Sequence, residues 1–267
     1  LGNQADEAVE LLRHRAPVTL RVNASRMSRD AAQVALAEEG ILCQPVNHVK
    51  MALHVIEGGR KISLSPLYLS GAVELQDASS QAAMEMLDLP CGARVLDFCA
   101  GGGGKTLALA ARLEGAWFAH DVALLRMSDL PARAARAGAA VRLCETPELP
   151  RLGPFDVVLC DVPCSGSGTW RRGPQAKWNL TPEGLAGLGR VQADILAQAA
   201  ELVAPDGRLV YCTCSVFREE NESVIERFSL NFSDWRHIAS RRWPITGTGD
   251  GFFLAQLNRD QQHFIQP

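Results

Sequence analysis

Two cysteine segments, each at the end of an apolar stretch, hold the residue types with the most chemical potential in this sequence. One is Asp161-Val-Pro-Cys164-Ser-Gly-Ser-Gly-Thr-Trp-Arg171-Arg172, and the other is Thr213-Cys214-Ser215. A cysteine attacks as its thiolate, and a free thiol ionises only near about pH 8.5, so the surroundings must favour the anion or take its proton. Cys164 and Cys214 sit at turns among polar and glycine residues beside Asp161, whereas Cys43, Cys91 and Cys160 read as inert packing. The pairs Cys160/Cys164 and Cys212/Cys214 lack the C-x₂-C spacing of common structural zinc sites, so no metal site is expected.

The second chemical feature is the glycine run Cys99-Ala100-Gly101-Gly102-Gly103-Gly104-Lys105-Thr106. Its Gly-Lys-Thr ending resembles a phosphate-binding P-loop, but the position where that motif requires its first glycine is Cys99. What remains is a glycine turn between a strand and a helix, where a cofactor can approach the backbone and meet free N–H groups. Asp121 ends the next strand, where an acid either accepts hydrogen bonds from ribose hydroxyls or caps a helix. Together the turn and the acid point to a nucleoside-containing cofactor.

The elements that must position these residues follow from periodicity. Residues 94–99, 117–121, 141–145, 155–161 and 208–213 read as short strands, separated by helices over 105–113 and 124–137 and by one before the fifth strand. That last helix carries an apolar stripe of Leu185, Leu188, Ile195, Ala199 and Leu202, and residues 251–257 supply a late strand. Repeated βα units imply a mostly parallel sheet with helices on both faces and ligands at the strands' C-terminal ends, where both cysteine segments and the glycine turn lie. Residues 1–75 differ: strands over 16–23, 41–46 and 52–56 and a helix capped by Ser28 and stopped by Gly40 form a small α+β module. The expected division is therefore 1–75 and 76–267, the second part opening on an amphipathic helix over 76–89.

Composition narrows the function classes. The 267 residues carry 27 basic and 30 acidic side chains, a net charge of −3, with 47% hydrophobic residues. That balance excludes a disordered chain and a globally basic nucleic-acid binder, so any RNA contact must come from local patches. No run reaches the roughly 20 apolar residues of a membrane span, no secretion signal opens the chain, and its eight cysteines are expected to be reduced thiols in the cytoplasm. The opening Leu1-Gly2-Asn3, without Met, suits an excerpt of a longer chain. Residues 11–30 hold Arg13, Arg15, Arg21, Arg26 and Arg29 against Asp30 alone, either a solvated face or a set of phosphate contacts.

The motifs together resemble the RNA (cytosine-5) methyltransferases, the Sun family. The resemblance rests on Leu96-Asp-Phe-Cys-Ala-Gly-Gly-Gly-Gly-Lys-Thr106, Asp161-Val-Pro-Cys-Ser-Gly-Ser-Gly-Thr169, Thr213-Cys-Ser215 and Asp250-Gly-Phe-Phe253, with Gln76-Asp-Ala-Ser-Ser80 and Glu220-Asn-Glu222 in support. Gly-Ser-Gly-Thr-Trp-Arg-Arg and Lys177-Trp178 are most similar to the bacterial small-subunit ribosomal RNA branch, which often carries an upstream all-helical RNA-binding domain outside this sequence. The resemblance implies an α/β class I S-adenosylmethionine-dependent methyltransferase fold, Rossmann-like with a mostly parallel seven-stranded sheet, behind a small N-terminal RNA-binding module. The implied cofactor site comprises Cys99, Ala100, Gly101, Gly102, Gly103, Gly104, Lys105, Asp121, Glu145 and Asp161, with Asp121 on the ribose and Glu145 where the family has an adenine-contacting Asp. Gly101-Gly102 departs from the family's usual Ala-Pro.

The resemblance also implies a division of labour. Cys214 is the nucleophile that adds to C6 of cytosine, Asp161 hydrogen-bonds the N3/N4 edge, and Cys164 assists elimination; Lys105 belongs to the catalytic set as well as to the loop. The target base must be unstacked to reach such a pocket, which favours single-stranded or flipped RNA. Arg171, Arg172, Lys177 and Arg21 are the expected RNA contacts, against the alternative of simple surface charge. RNA, ribosomal before transfer RNA, is the expected partner, with no membrane and no obligate protein partner implied. The competing functions are a non-catalytic RNA-binding scaffold and a methyltransferase for tRNA, DNA or a small molecule.

Overall fold

The alternation of apolar strands with helices builds two sheets in the computed structural model, which describes residues 5–259. The first has strands β1 (Thr19–Val22), β2 (Leu42–Pro45), β3 (Ala52–Glu57) and β4 (Val73–Leu75), antiparallel in the order β2-β3-β1-β4. Helix Arg29–Glu38 starts where Ser28 caps it, accepting from the Ala31 N–H, and ends before Gly40 at φ 72°. Leu20, Leu36, Ile41 and Leu53 are fully buried in this module's own core.

The second sheet has β5 (Ala93–Asp97), β6 (Gly115–His120), β7 (Val141–Cys144), β8 (Phe155–Asp161), β9 (Val203–Thr213), β10 (Trp235–Trp243) and β11 (Phe252–Arg259). Its order is β10-β11-β9-β8-β5-β6-β7, parallel from β7 to β9 and antiparallel at β11. The central strands are buried on both faces: Leu96, Val158, Leu209 and Tyr211 pack to one side, Val95, Val157, Leu159 and Val210 to the other. Cys160 is fully buried on the first face and Cys212 on the second. The order reverses at β5 and β8, which opens a crevice beyond their carboxyl ends.

The structure departs from several of these expectations. The stretch 124–137 is not one helix: a 3₁₀ turn over Leu124–Met127 precedes helix Leu130–Ala137, because Pro131 lacks the N–H that a continuous helix would bond. In helix Pro182–Ala200 the buried positions are Gly189, Gln192, Leu196, Ala199 and Ala200; of the apolar stripe Ala199 is among them and Ile195 and Leu202 pack against the same core, while Gln192 is held there by polar partners. Cys91 is exposed in the turn before β5, its thiol 3.8 Å from Glu114, so it packs nothing. Among the described residues, no helix is long and apolar enough to cross a membrane.

Candidate active site

The glycine turn takes its shape from backbone conformations that side chains resist. Gly101 and Gly103 have φ of 50° and 73°. A Cβ on Gly103 would lie 2.2 Å from Cδ1 of Leu130, so the turn can pack on helix Leu130–Ala137 only as glycine. Beside the turn is a cavity of about 370 Å³ lined by Gln76, Asp97, Cys99, Gly101, Lys105, Asp161, Thr169, Cys214, Asp250 and Phe252, among others. Asp97 is 2% exposed. The Thr106 hydroxyl donates to its Oδ2 at 2.6 Å, while its Oδ1 has no partner among the described residues. Burial pushes the Asp97 carboxyl up to about 6, against the Thr106 hydrogen bond. A cationic ligand group is the natural partner for such an oxygen.

Asp121 lies below the turn, 2% exposed. Its Oδ2 accepts from the Gly101 N–H and pairs with Arg126, both at 3.1 Å, and its Oδ1 accepts from the Ala123 N–H at 3.0 Å. A ribose hydroxyl could reach it only in place of Arg126, whose side chain is 58% exposed. Glu145 is exposed at the end of β7, where its N–H donates to Glu148 in a local cap, and is not among the residues lining the cavity. The cap removes the geometric basis for placing Glu145 on the cofactor.

The ends of β8 and β9 bring Asp161 and Cys214 to the same cavity as Lys105, with Cys164 against Cys214 behind them. Lys105 Nζ lies 2.5 Å from Asp161 Oδ2 and over the Phe252 ring at 5.1 Å. Burial opposes the charge on Lys105, but the Asp161 carboxylate outweighs it and raises the ammonium's pKa, so Lys105 stays protonated and is no base. The Cys164 and Cys214 sulfurs are 3.4 Å apart. The Cys164 hydrogen bond lowers the Cys214 pKa against burial and the Asp161 charge, with help from Lys105 and Thr169. The same bond, then burial, raises Cys164 well above the ordinary thiol value. The two thiols are thus pushed in opposite directions, Cys214 toward the thiolate and Cys164 toward the thiol. Burial likewise keeps the Cys99 thiol protonated.

The expected RNA contacts separate sharply. Arg171 is 8% exposed. Its Nε donates to Asp250 at 2.6 Å, Nη1 to the Thr246 carbonyl at 2.9 Å and Nη2 to the Gly249 carbonyl at 2.7 Å, leaving no face for a phosphate. Arg21 is buried too, bonded to Gln76 and to the Gly104 carbonyl, where it ties the small module to the glycine turn. Neither is the surface RNA contact expected, because a buried arginine and a surface one look alike in sequence. Arg172 is half-exposed and pairs with Asp250 and Asp77. Lys177 is exposed, stacked 4.5 Å over Trp178, which is 77% exposed. Of the N-terminal arginines, Arg13 pairs with Glu10 and Arg26 bonds the Arg136 carbonyl, which reduces the supposed phosphate stripe.

Three buried carboxylates at or near the site are not singled out by residue type and spacing. Asp97, Glu220 and Asp250 all lie inside motifs quoted for the resemblance, and their adjacency to the glycine run and the cysteines was the available signal.

The strand order, the antiparallel β11 and a glycine-turn crevice at the switch point define a class I methyltransferase fold, fronted by a ferredoxin-like module. The chain belongs to the family described as 16S rRNA methyltransferase RsmB/F, whose model matches residues 84–258; a ferredoxin-like domain of the same kind of protein matches residues 1–61. It is 32% identical to ribosomal RNA small subunit methyltransferase B of Pasteurella multocida, across 95% of this chain and 61% of that protein. For the protein of the same name from Klebsiella pneumoniae the figures are 33%, 95% and 62%. The chain thus spans about three fifths of the length of these relatives. A solved methyltransferase homolog from Pyrococcus horikoshii is similar at TM-score 0.82 and 27% identity, covering 97% of this chain and 92% of that one.

Proposed function

We propose that this chain transfers a methyl group from S-adenosylmethionine to C5 of a cytosine in small-subunit ribosomal RNA, in the cytoplasm. The observation that carries this reading is the pair of sulfurs 3.4 Å apart at the cavity edge, with the Lys105–Asp161 ion pair beside them. S-adenosylmethionine supplies an electrophilic methyl group when bound. Asp97 Oδ1 suits its ammonium, and the turn from Cys99 to Gly104 leaves room for its backbone-hugging part. Asp121 contributes by holding Gly101 from below, and reaches a ribose once Arg126 moves aside.

Cytosine C5 is a weak nucleophile until electron density is pushed into the ring. The Cys214 thiolate forms a bond to C6, which enriches C5 for methylation. Asp161 meets the N3/N4 edge of the base, and Lys105 keeps that carboxylate oriented and its charge balanced. A base such as water must then take the C5 proton, so that the ring re-forms and the Cys214–C6 bond breaks with its electron pair returning to sulfur. Cys164, within reach of the same sulfur, assists this last step. Lys177 and Trp178 offer an exposed cation and ring suited to a phosphate and an unstacked base.

Methyl incorporation from labelled S-adenosylmethionine into small-subunit RNA, mapped by bisulfite conversion, tests the reading. A new unconverted cytosine in RNA supports it; labelling of DNA alone, or of no nucleic acid, contradicts it.

The cofactor contact makes a separate prediction. Asp97→Asn should weaken S-adenosylmethionine binding roughly 10- to 150-fold, the scale of about 1.5–3 kcal/mol for a charge-assisted hydrogen bond. Because the carboxyl is raised to about 6, it is ionised above that pH and neutral below, so wild-type affinity should fall as pH drops through that value. Calorimetric titration at two pH values reads both effects; equal affinities for wild type and variant would remove Asp97 from the site.

A further inference from the structure

A buried carboxylate lies beneath the two cysteines, and the chemistry above does not use it. Glu220 is fully buried after β9. Its Oε1 accepts from the Ser165 N–H at 2.8 Å and from Gln192 Nε2 at 3.0 Å. Its Oε2 accepts from the hydroxyls of Ser165 and Ser215, both at 2.5 Å. Ser165 follows Cys164 in the chain and Ser215 follows Cys214, so one side chain grips both cysteine loops. We infer that Glu220 is a positioning residue that clamps the two loops together and directs the shared proton to Cys164, leaving Cys214 free to attack.

Two features favour this over a packing role. Fixing two loops needs only hydrogen-bond acceptors, yet the chain buries a carboxylate, which is costly unless its charge is matched. Here four neutral donors hold it, with no cation among those partners. The thiol that feels it is Cys164, where Glu220 adds to the hydrogen bond from Cys214 and to burial in opposing ionisation. Tyr211 also faces Cys164, and burial keeps that phenol neutral. Cys214 is instead faced by Asp161 and Lys105. The carboxylate thus adds, on the Cys164 side, to a difference between the two thiols that Asp161 and Lys105 set on the Cys214 side.

The inference builds on Cys214 as the attacking residue, but its test needs neither RNA nor cofactor. Iodoacetamide alkylation of the 267-residue chain across a pH series, read separately for the Cys164 and Cys214 peptides, gives each thiol's midpoint. In the wild type Cys214 should react at the lower pH. Glu220→Gln should bring the two midpoints closer by about one pH unit, the low end of what a neighbouring buried charge does. Ser215→Ala keeps the charge and cuts one strap, and should narrow the gap by less. Glu222→Gln, whose partner is Arg242 on the surface, should change nothing. An unchanged gap in folded Glu220→Gln, or a wild type in which Cys164 reacts first, would overturn the inference. If Glu220→Gln does not fold, an unchanged gap in Ser215→Ala overturns it in its place. A wild-type chain with the expected midpoints that methylates no RNA would instead sink the proposed function and leave the clamp standing.

Discussion

Cys214→Ala is expected to lower methyl transfer by at least about a thousandfold, the scale of losing a covalent nucleophile, and to form no covalent RNA complex. Cys164→Ala should behave differently. The attacking sulfur remains, so C6 can still be bonded and C5 methylated, but the thiol that assists release of the Cys214 sulfur from C6 is gone. Enzyme should then accumulate on its own product as a slow-migrating band on a denaturing gel, absent from the double variant. The two thiols share one hydrogen bond, so the Cys164 change also withdraws the donor that lowers the Cys214 pKa. The sign follows: wild-type activity should rise with pH and level off below the ordinary thiol value, and adduct formation by Cys164→Ala should need a higher pH. An adduct with Cys214→Ala would reverse the two roles.

Arg171→Leu is expected to cost about 3–5 kcal/mol of folding stability, because it strands a buried carboxylate without its cation. Arg171 and Asp250 side chains are each 2% exposed and joined at 2.6 Å. Without Arg171, Asp250 would face Asp77 with only half-exposed Arg172 between them, and Asp77 already has its pKa raised by burial and by Asp250. The same guanidinium holds the Thr246 and Gly249 carbonyls, which keep Asp250 and Phe252 at the cavity wall. Denaturant titration reads the loss. A variant of native stability that bound RNA less tightly would restore Arg171 as a phosphate contact.

That contrast marks where the sequence is legible. Strands buried on both faces announce themselves as apolar runs, so β5, β8 and the end of β9 were readable, and with them the placement of the glycine turn, Asp161 and Cys214 at one sheet edge. Strand β10 was not: its pattern is mostly exposed, with Arg236, Arg241 and Arg242 along it. Strand β4 has only three residues, too few to show a period. The polar layer under the cysteines was equally hidden. Gln192 and Glu220 are fully buried for reasons set by partners 28 residues apart, and periodicity counts such residues as surface. Basic residues are the extreme case, since Arg21 and Arg171 act inside the protein and Lys177 outside it with nothing in the local sequence to tell them apart.

The central claim is a covalent bond between Cys214 and C6 of a cytosine in RNA. Small-subunit RNA carrying 5-fluorocytidine tests it most directly, because fluorine at C5 cannot leave as the proton does and the bond cannot be released after methylation. With S-adenosylmethionine present, the wild-type chain should form a denaturant-stable adduct carrying the methyl group, and peptide mapping should place the nucleotide on Cys214. No adduct, or an adduct mapped to any other residue, would contradict the account.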